Sequence, residues 1–358
     1  MTNRVLIMAG GTGGHVFPAL ALAKKLRELG LEVHWLGVDK AIEARLVPAA
    51  GIPIHYIPIQ SLRGKGIKRW LTMPFTLARA VYCSIKVIRK LKPKLVIGMG
   101  GFVSGPGALA AKMLGIPLVI HEQNALAGMT NRYLGKIADR VLCAFPGAFP
   151  VSKKMQVTGN PVRDDLIALR HKPISDQGPL HVLVIGGSLG AVVFNEVIPK
   201  ALALMPKENR PLVWQQTGEK TFQFATEQYA NSQVEAKVVA FIDNMAEAYA
   251  WADMVVCRAG AMTVSELAVV GIPAILVPLP YAVDDHQRYN AKYLSDNKAA
   301  ILLLQSEFSA QSLASLLQFY SINRQELKEM AVCARGLAHA DATGVVAKAC
   351  IDLMEKTH

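Results

Sequence analysis

Near the start of the chain, His15 follows Gly10-Gly11-Thr12-Gly13-Gly14, and this pairing suits one kind of chemistry. Glycines let backbone N–H groups approach a bulky anion and allow positive φ. A histidine beside them titrates near neutrality, and a helix N-terminus favours the neutral ring that a general base needs. The alternative is a polar residue in a tight turn, and composition does not separate the two. The loop is not a P-loop, because no Lys-Ser/Thr follows. It is not a full GxGxxG either, because Val16 takes the third glycine position. The first acidic residue after the second apolar run, Asp39, lies beyond Gly37-Val38, so hydride transfer to a dinucleotide is disfavoured.

The same device recurs. "GMGGFVSGPG", Gly98 to Gly107, contains Gly100 and Gly101 and offers Ser104 as a cap for a helix expected over Ala108–Leu114. Two such loops in one domain point to a diphosphate. A third loop is Gly186-Gly187-Ser188-Leu189-Gly190. In "RAGAMTVSELAVVGIP", Arg258 to Pro273, Thr263 and Glu266 have capping-box spacing, which competes with a carboxylate accepting bonds from sugar hydroxyls. "DDHQRYNA", Asp284 to Ala291, reads by spacing as a polar loop entering a helix. No Asp-x-Asp occurs, so a metal-bridged nucleotide-sugar site built on that motif is not expected.

These loops need a scaffold of strand, turn and helix. Strands are expected at 4–8, 32–36, 53–58, 95–97, 117–121 and 140–143 in the first half. In the second half they fall at 181–185, 211–215, 237–240, 254–257, 273–277 and 299–303. Ala19, Leu22, Ala23 and Leu26 form an apolar stripe at helical spacing that Gly30 ends. "HVLVIGGSLGA" repeats the grammar of "RVLIMAGGTGGH". The expected fold is therefore α/β, two doubly wound domains in tandem, with ligands at the carboxyl ends of the strands in a shared cleft. The boundaries are set at 1–162 and 163–340, with a linker in "GNPVRDD"; a C-terminal helix over 341–358 is free to return to the first domain.

Composition sets limits on function. The 358 residues are 52% hydrophobic and 18% charged, enough for substantial cores and not a disordered chain. The net charge of +12 is segregated: residues 1–160 carry 22 Lys and Arg against 6 Asp and Glu, and no acidic residue falls between Glu43 and Glu122. An anionic partner for the first half is implied. Lys68, Arg69, Arg79, Lys86 and Lys90 mix with Trp70, Leu71, Met73, Phe75 and Leu77 in a segment suited to a membrane interface, which Pro74 is expected to kink or divide. A core helix with a solvated basic face is the competing reading. The uncharged stretches 95–111 and 267–283 are interrupted by Gly or Pro, so no clean membrane span is expected. Five scattered cysteines fit reduced thiols and a cytosolic setting.

Taken in order, "GGTGGHVFPAL", "GMGGFVSGPG", "HEQNALAGMTN", "FPGAF", "GNPVR", "GGSLGA", "FIDNMAEAYAWADMVVCRAGAMTVSE" and "HQRYNA" closely resemble the MurG family of bacterial glycosyltransferases along essentially the whole chain. The resemblance implies a GT-B architecture, two Rossmann-like domains facing a central cleft. It implies an inverting transfer of N-acetylglucosamine from UDP-N-acetylglucosamine to lipid I, giving lipid II and UDP in peptidoglycan synthesis, with no cofactor. It places Thr12, Gly13, Gly14, Asn124, Arg163 and Ser188 on the donor and Ile242 on the uracil. Ala261, Met262, Thr263, Val264, Ser265 and Glu266 would meet diphosphate and ribose, and Gln287 with Asn290 the sugar. His15 is the candidate base or acceptor-site residue. Gly13, Gly14, Gly100, Gly101 and Ser104 would take the acceptor diphosphate. Partners would be an anionic membrane surface at the cytoplasmic face of the inner membrane and other cell-wall proteins, with no nucleic acid. Phe102 stands where the family usually has Tyr. The rival readings are a UDP-N-acetylglucosamine 2-epimerase-like enzyme and a non-catalytic anionic-lipid-binding protein.

Overall fold

The computed structural model describes residues 3–59, 67–187 and 190–356. The chain forms two compact units, Met1–Arg163 with Ala340–His358, and Asp164–His339. The first unit alternates β1 (Arg4–Met8), α1 (Gly13–Glu28), β2 (Glu32–Gly37), α2 (Ile42–Ala49), β3 (Ile54–Tyr56), α3 (Ile67–Leu91), β4 (Leu95–Gly98), α4 (Ser104–Met113), β5 (Leu118–Glu122), α5 (Met129–Ile137), β6 (Arg140–Cys143) and β7 (Met155–Val157). Its sheet is parallel in the order β3-β2-β1-β4-β5-β6-β7. The order reverses direction beside β1, which creates a switch point between β1 and β4. Successive residues along each strand point to opposite faces of the sheet. Val5 and Ile7 join Trp35, Leu22 and Leu26 on one side. Leu6 and Met8 join Leu36, Ile88 and Ala108 on the other. Such two-sided burial explains why these strands read as continuous apolar runs.

The second unit continues with α6 (Asp164–Ile167), β8 (His181–Ile185), α7 (Val192–Leu204), β9 (Leu212–Gln216), α8 (Phe222–Asn231), β10 (Lys237–Val239), α9 (Met245–Trp251) and β11 (Met254–Cys257). Then come α10 (Ala261–Val270), β12 (Ala274–Leu276), α11 (His286–Ser295), β13 (Ile301–Leu302), α12 (Ala310–Ile322) and α13 (Arg324–Gly336). Its parallel sheet has the order β10-β9-β8-β11-β12-β13, so the switch point lies between β8 and β11. Val182, Val184, Phe194, Ile198, Val256, Leu313 and Leu317 are among its core residues. The last helix, α14 (Ala342–Lys356), packs on α1 of the first unit, and Val346, Ala347, Cys350 and Met354 complete that core.

Three local expectations are corrected. Pro74 does not divide α3, which runs unbroken from Ile67 to Leu91. One proline removes a single ladder bond, and Ala80, Ser84, Ile88 and Leu91 still bury a continuous stripe. The helix expected to start at Ala108 begins at Ser104 and incorporates Gly105-Pro106-Gly107. A Cβ on Gly107 would collide with Met8 and Leu36, so this glycine permits close packing of α4 on the sheet. The edge strand β7 is an addition that its three residues did not signal.

Candidate functional site

In the first unit, the loops leaving β1 and β4 pack directly on each other. A Cβ on Gly101 would enter the Gly10 backbone, and one on Gly100 would enter the His15 ring. Gly100 and Gly101 have φ of 99° and 83°, which L side chains rarely adopt. On Gly10, a Cβ would strike the carboxylate of Glu43. That carboxylate is fully buried and accepts the N–H groups of Gly11 (3.1 Å) and Val38 (3.2 Å). Trp35 Nε1 donates to Ala9 O from below (2.9 Å). Much of the glycine content therefore serves loop-on-loop packing. Thr12, Gly11 and Gly14 remain exposed, and the Thr12 carbonyl accepts from the N–H groups of His15 and Val16. The first-turn N–H groups of Gly13 and Gly14 have no acceptor within their own helix and carry its positive dipole end.

Ser104 is buried and does not cap α4. Its hydroxyl accepts the N–H of Gly100 (3.1 Å) and points at Met8 O (3.1 Å) and Gly100 O (2.9 Å). Its side chain thus holds the loop in shape and is committed away from a ligand.

The segment after β5 supplies the partners of His15. His15 Nδ1 lies 3.0 Å from Gln123 Oε1. Gln123 Nε2 lies 3.1 Å from His121 Nδ1, and His121 Nε2 lies 3.0 Å from Gly159 O. Burial pushes the His121 imidazole down to about 4. Glu122, also buried, accepts from Asn124 N (3.0 Å), Asn124 Nδ2 (3.2 Å), Gly128 N (3.1 Å) and Asn131 Nδ2 (2.9 Å). Four donors on one carboxylate fix the loop that carries Asn124, which is itself half-buried. Arg163 ends the first segment of this unit and is exposed.

In the second unit the loops again gather at the carboxyl end of the sheet. Gly190 lies against the backbone of Thr217 and Gly218, leaving no room for a side chain. Ser188 lies outside the described residues. The N-cap of α10 is Gly260, with no side-chain cap. The capping box expected of Thr263 and Glu266 therefore does not form, because the helix starts two residues before Thr263. Glu266 instead accepts from the Tyr249 hydroxyl (3.1 Å). Ala261 and Val264 are buried, while Met262, Thr263 and Ser265 are half-buried. Asn290 is buried and its Nδ2 donates to Ala259 O (3.1 Å), holding the loop in front of α10. Gln287 Oε1 accepts Leu279 N (2.9 Å). Both aspartates before α11, Asp284 and Asp285, have φ of 53°. Arg258, just after β11, braces the segments that follow β12 and β13 through Val277 O (3.1 Å), Pro278 O (3.2 Å) and Gln305 Oε1 (2.7 Å). Ile242 follows β10 and is buried beside exposed Phe241. Glu43, Glu122, Gln123, His121 and Arg258 were not singled out from the sequence: Glu43, Gln123, His121 and Arg258 meet partners distant along the chain, and the nearby partners of Glu122 follow no spacing rule.

On the surface of the first unit, α4 packs against both α3 and α5. Phe75 is 78% exposed, Tyr82 57%, Met113 70% and Tyr133 65%. Arg79, Lys86 and Lys90 share the exposed face of α3, and Lys86 Nζ sits 4.7 Å from the Tyr82 ring centre. Lys68, Arg69, Trp70 and Leu71 lie on the first turns of α3, and their side chains are outside the described residues. Among the described residues no helix is long and apolar enough to cross a membrane.

Two parallel Rossmann-like units, each with a glycine-rich loop at its switch point, are the architecture of GT-B-type enzymes. Residues 5–143 match the glycosyltransferase family 28 N-terminal domain and residues 181–345 its C-terminal domain. The chain is 51% identical over 353 residues to the UDP-N-acetylglucosamine--N-acetylmuramyl-(pentapeptide) pyrophosphoryl-undecaprenol N-acetylglucosamine transferase of Azotobacter vinelandii, covering 99% of each chain. It superposes on the crystal structure of Acinetobacter baumannii MurG with TM-score 0.84 at 41% identity, covering 98% of this chain and 99% of that one. A UDP-GlcNAc 2-epimerase from Neisseria meningitidis gives TM-score 0.69 at 12% identity over 99% of this chain and 100% of that one, a likeness of fold alone. The chain belongs to glycosyltransferase family 28, within its MurG branch.

Proposed function

We infer that this chain transfers N-acetylglucosamine from UDP-N-acetylglucosamine to the N-acetylmuramic acid 4-hydroxyl of lipid I, giving lipid II and UDP. The observation that carries the reading is its 51% identity over 99% of its length to an enzyme of that name. Inversion at the anomeric carbon needs a nucleophile opposite the departing UDP, a base for its proton and stabilisation of the leaving diphosphate. In our reading His15 takes the proton. The N-terminus of α10, from Ala261 to Ser265, meets the UDP phosphates with the first-turn backbone N–H groups ahead of Val264, whose own N–H goes to Gly260 O, and with its positive dipole end. Glu266 accepts from the ribose hydroxyls, Ile242 holds the uracil through its backbone, and Gln287 addresses the sugar. The Asn290 side chain already holds Ala259, so it acts by shaping that loop. Ser188, Arg163, Asn124 and Thr12 complete the donor contacts. Gly13 and Gly14 offer N–H groups to the acceptor diphosphate, while Gly100, Gly101 and Ser104 contribute by building the loop.

The acceptor is lipid-linked, so the first unit must meet a membrane. The exposed face with Phe75, Tyr82 and Met113 supplies apolar side chains, and Arg79 and Lys86 supply charge. Each basic residue near an anionic leaflet contributes about 1 kcal/mol. A peripheral position at the cytoplasmic face of the inner membrane follows from this reading, as does proximity to other cell-wall synthesis proteins.

The test is UDP release from UDP-N-acetylglucosamine, with and without a soluble lipid I analogue, in EDTA. Release that depends on the analogue, with a disaccharide product by mass spectrometry, is expected. UDP binding without acceptor-dependent release would overturn the assignment. A His15→Ala variant with near-normal turnover would remove His15 from the base role.

A further inference from the structure

The chain of contacts behind His15 has a direction, and it starts from an atom whose role is not negotiable. A backbone carbonyl only accepts, so the His121 nitrogen facing Gly159 O at 3.0 Å, Nε2, must carry a proton. His121 is fully buried, and burial pushes it down to about 4, so near neutrality the ring is uncharged and its Nδ1 is a bare lone pair. The group facing that lone pair at 3.1 Å must donate, which turns the NH2 end of Gln123 toward His121. The oxygen end of Gln123 is then presented to His15 Nδ1 at 3.0 Å. An amide oxygen only accepts, so in the neutral His15 ring the proton sits on Nδ1 and the lone pair on Nε2.

We propose that Gln123 and His121 are positioning residues that lock His15 in the Nδ1–H tautomer, so that Nε2 is the atom that receives the acceptor's proton. The assignment of Nε2 rests on the reading of His15 as the base; the tautomer does not. Gln123 cannot rotate away easily, because it is buried and its own carbonyl accepts from Asn160 Nδ2 (3.0 Å). The His15 ring is seated in the space that a side chain at Gly100 would occupy, which fixes its plane. In the proposed step the lone pair on Nε2 bonds the hydroxyl proton as the oxygen attacks the anomeric carbon. The ring becomes an imidazolium with both nitrogens protonated, and the UDP leaves with the electrons of the broken glycosidic bond. The Nδ1–H bond to Gln123 is kept throughout, so no proton travels along the relay.

The first measurement needs no variant. Long-range 1H–15N correlation spectra of the 15N-histidine-labelled protein, just above neutral pH, report which nitrogen of each ring is protonated; His15→Ala and His121→Asn spectra assign the two rings. His15 is expected with its proton on Nδ1 and His121 with its proton on Nε2. The opposite tautomer at either ring overturns the proposal. In Gln123→Met, which keeps length but removes the acceptor, the His15 ring should become a tautomer mixture. Its kcat should fall about tenfold, the worth of one positioning hydrogen bond, while KM for the donor stays within about twofold. An unchanged His15 spectrum in this variant overturns the lock. A redistributed tautomer with unchanged kcat leaves the lock standing and removes His15 as base.

Discussion

Replacing Gly100 by alanine separates a backbone cost from a site cost. Gly100 has φ of 99°, and its missing side chain is the seat of the His15 ring. Gly30, after α1, has φ of 82° and nothing within 4 Å of the place a Cβ would take. Each Gly→Ala change forces an L residue into a left-handed or neighbouring region at about 1–2 kcal/mol. For a unit of this size that corresponds to a fall in Tm of about 2–8 °C. Gly30→Ala should show that loss and nothing more. Gly100→Ala should show it too, and should also drive the ring away from Gln123 Oε1, which the backbone constraint alone does not do. General-base contributions run to about 10²–10⁴-fold, so kcat/KM should fall by at least about 10²-fold in Gly100→Ala. The fall should nearly vanish in a His15→Ala background, since the ring is then absent. The assays are thermal unfolding and acceptor-dependent UDP release on the four proteins. Multiplying effects of Gly100→Ala and His15→Ala, or equal activity of the two glycine variants, would refute the reasoning.

Other expectations follow from the buried groups and the exposed face. Folded His121 titrates at about 4 against 6.5 in an ordinary setting, so the unfolded chain binds its proton first as pH falls. Stability from this group is complete above about pH 6.5 and falls by about 3 kcal/mol on the way to pH 4; urea unfolding of His121→Asn should show a shallower dependence over that range. Glu122→Ala strands the donors of Asn124, Gly128 and Asn131, and should cost about 3 kcal/mol or more in the same experiment. Glu266→Ala should raise KM for UDP-N-acetylglucosamine about tenfold or more in steady-state assays, the worth of one or two charge-assisted hydrogen bonds, with a smaller change in kcat. Phe75→Ser with Tyr82→Ser should weaken co-sedimentation with anionic vesicles at all salt concentrations, whereas Arg79→Gln with Lys86→Gln should weaken it chiefly at low salt.

The parts legible in the sequence are those set by local rules. Alternation of Val5, Leu6, Ile7 and Met8 between two buried faces yields the apolar run that marks a parallel strand, and Gly30 marks where α1 stops. Ser104 to Gly107 misleads by the same rules, because Gly105-Pro106-Gly107 reads as a loop until Met8 and Leu36 are known to lie behind Gly107. Thr263 and Glu266 mislead in a similar way, since spacing alone does not reveal that Gly260 starts the helix. The second tier of the site was invisible for a physical reason. Glu43 holds Gly11 from 32 residues away, and Gln123 meets His15 from 108 residues away. Such partners are chosen by the order of strands in the sheet, and no window along the chain contains both members.

The return of α14 to the first unit has a consequence for how the protein is born. The second unit is one continuous stretch, Asp164–His339, and all of it has been synthesised before Val346, Ala347, Cys350 and Met354 are added. Those four side chains close the core beneath α1, so the unit translated first is the unit finished last. A nascent chain that has not yet added α14 leaves an apolar face of α1 bare, whatever the state of the second unit. The half that carries His15 thus waits for residues made after the second unit before its core is closed. Its completion depends on α14, and a chain cut short after His339 should be met by chaperones and proteases as an unfinished protein rather than tolerated as a slightly shorter enzyme.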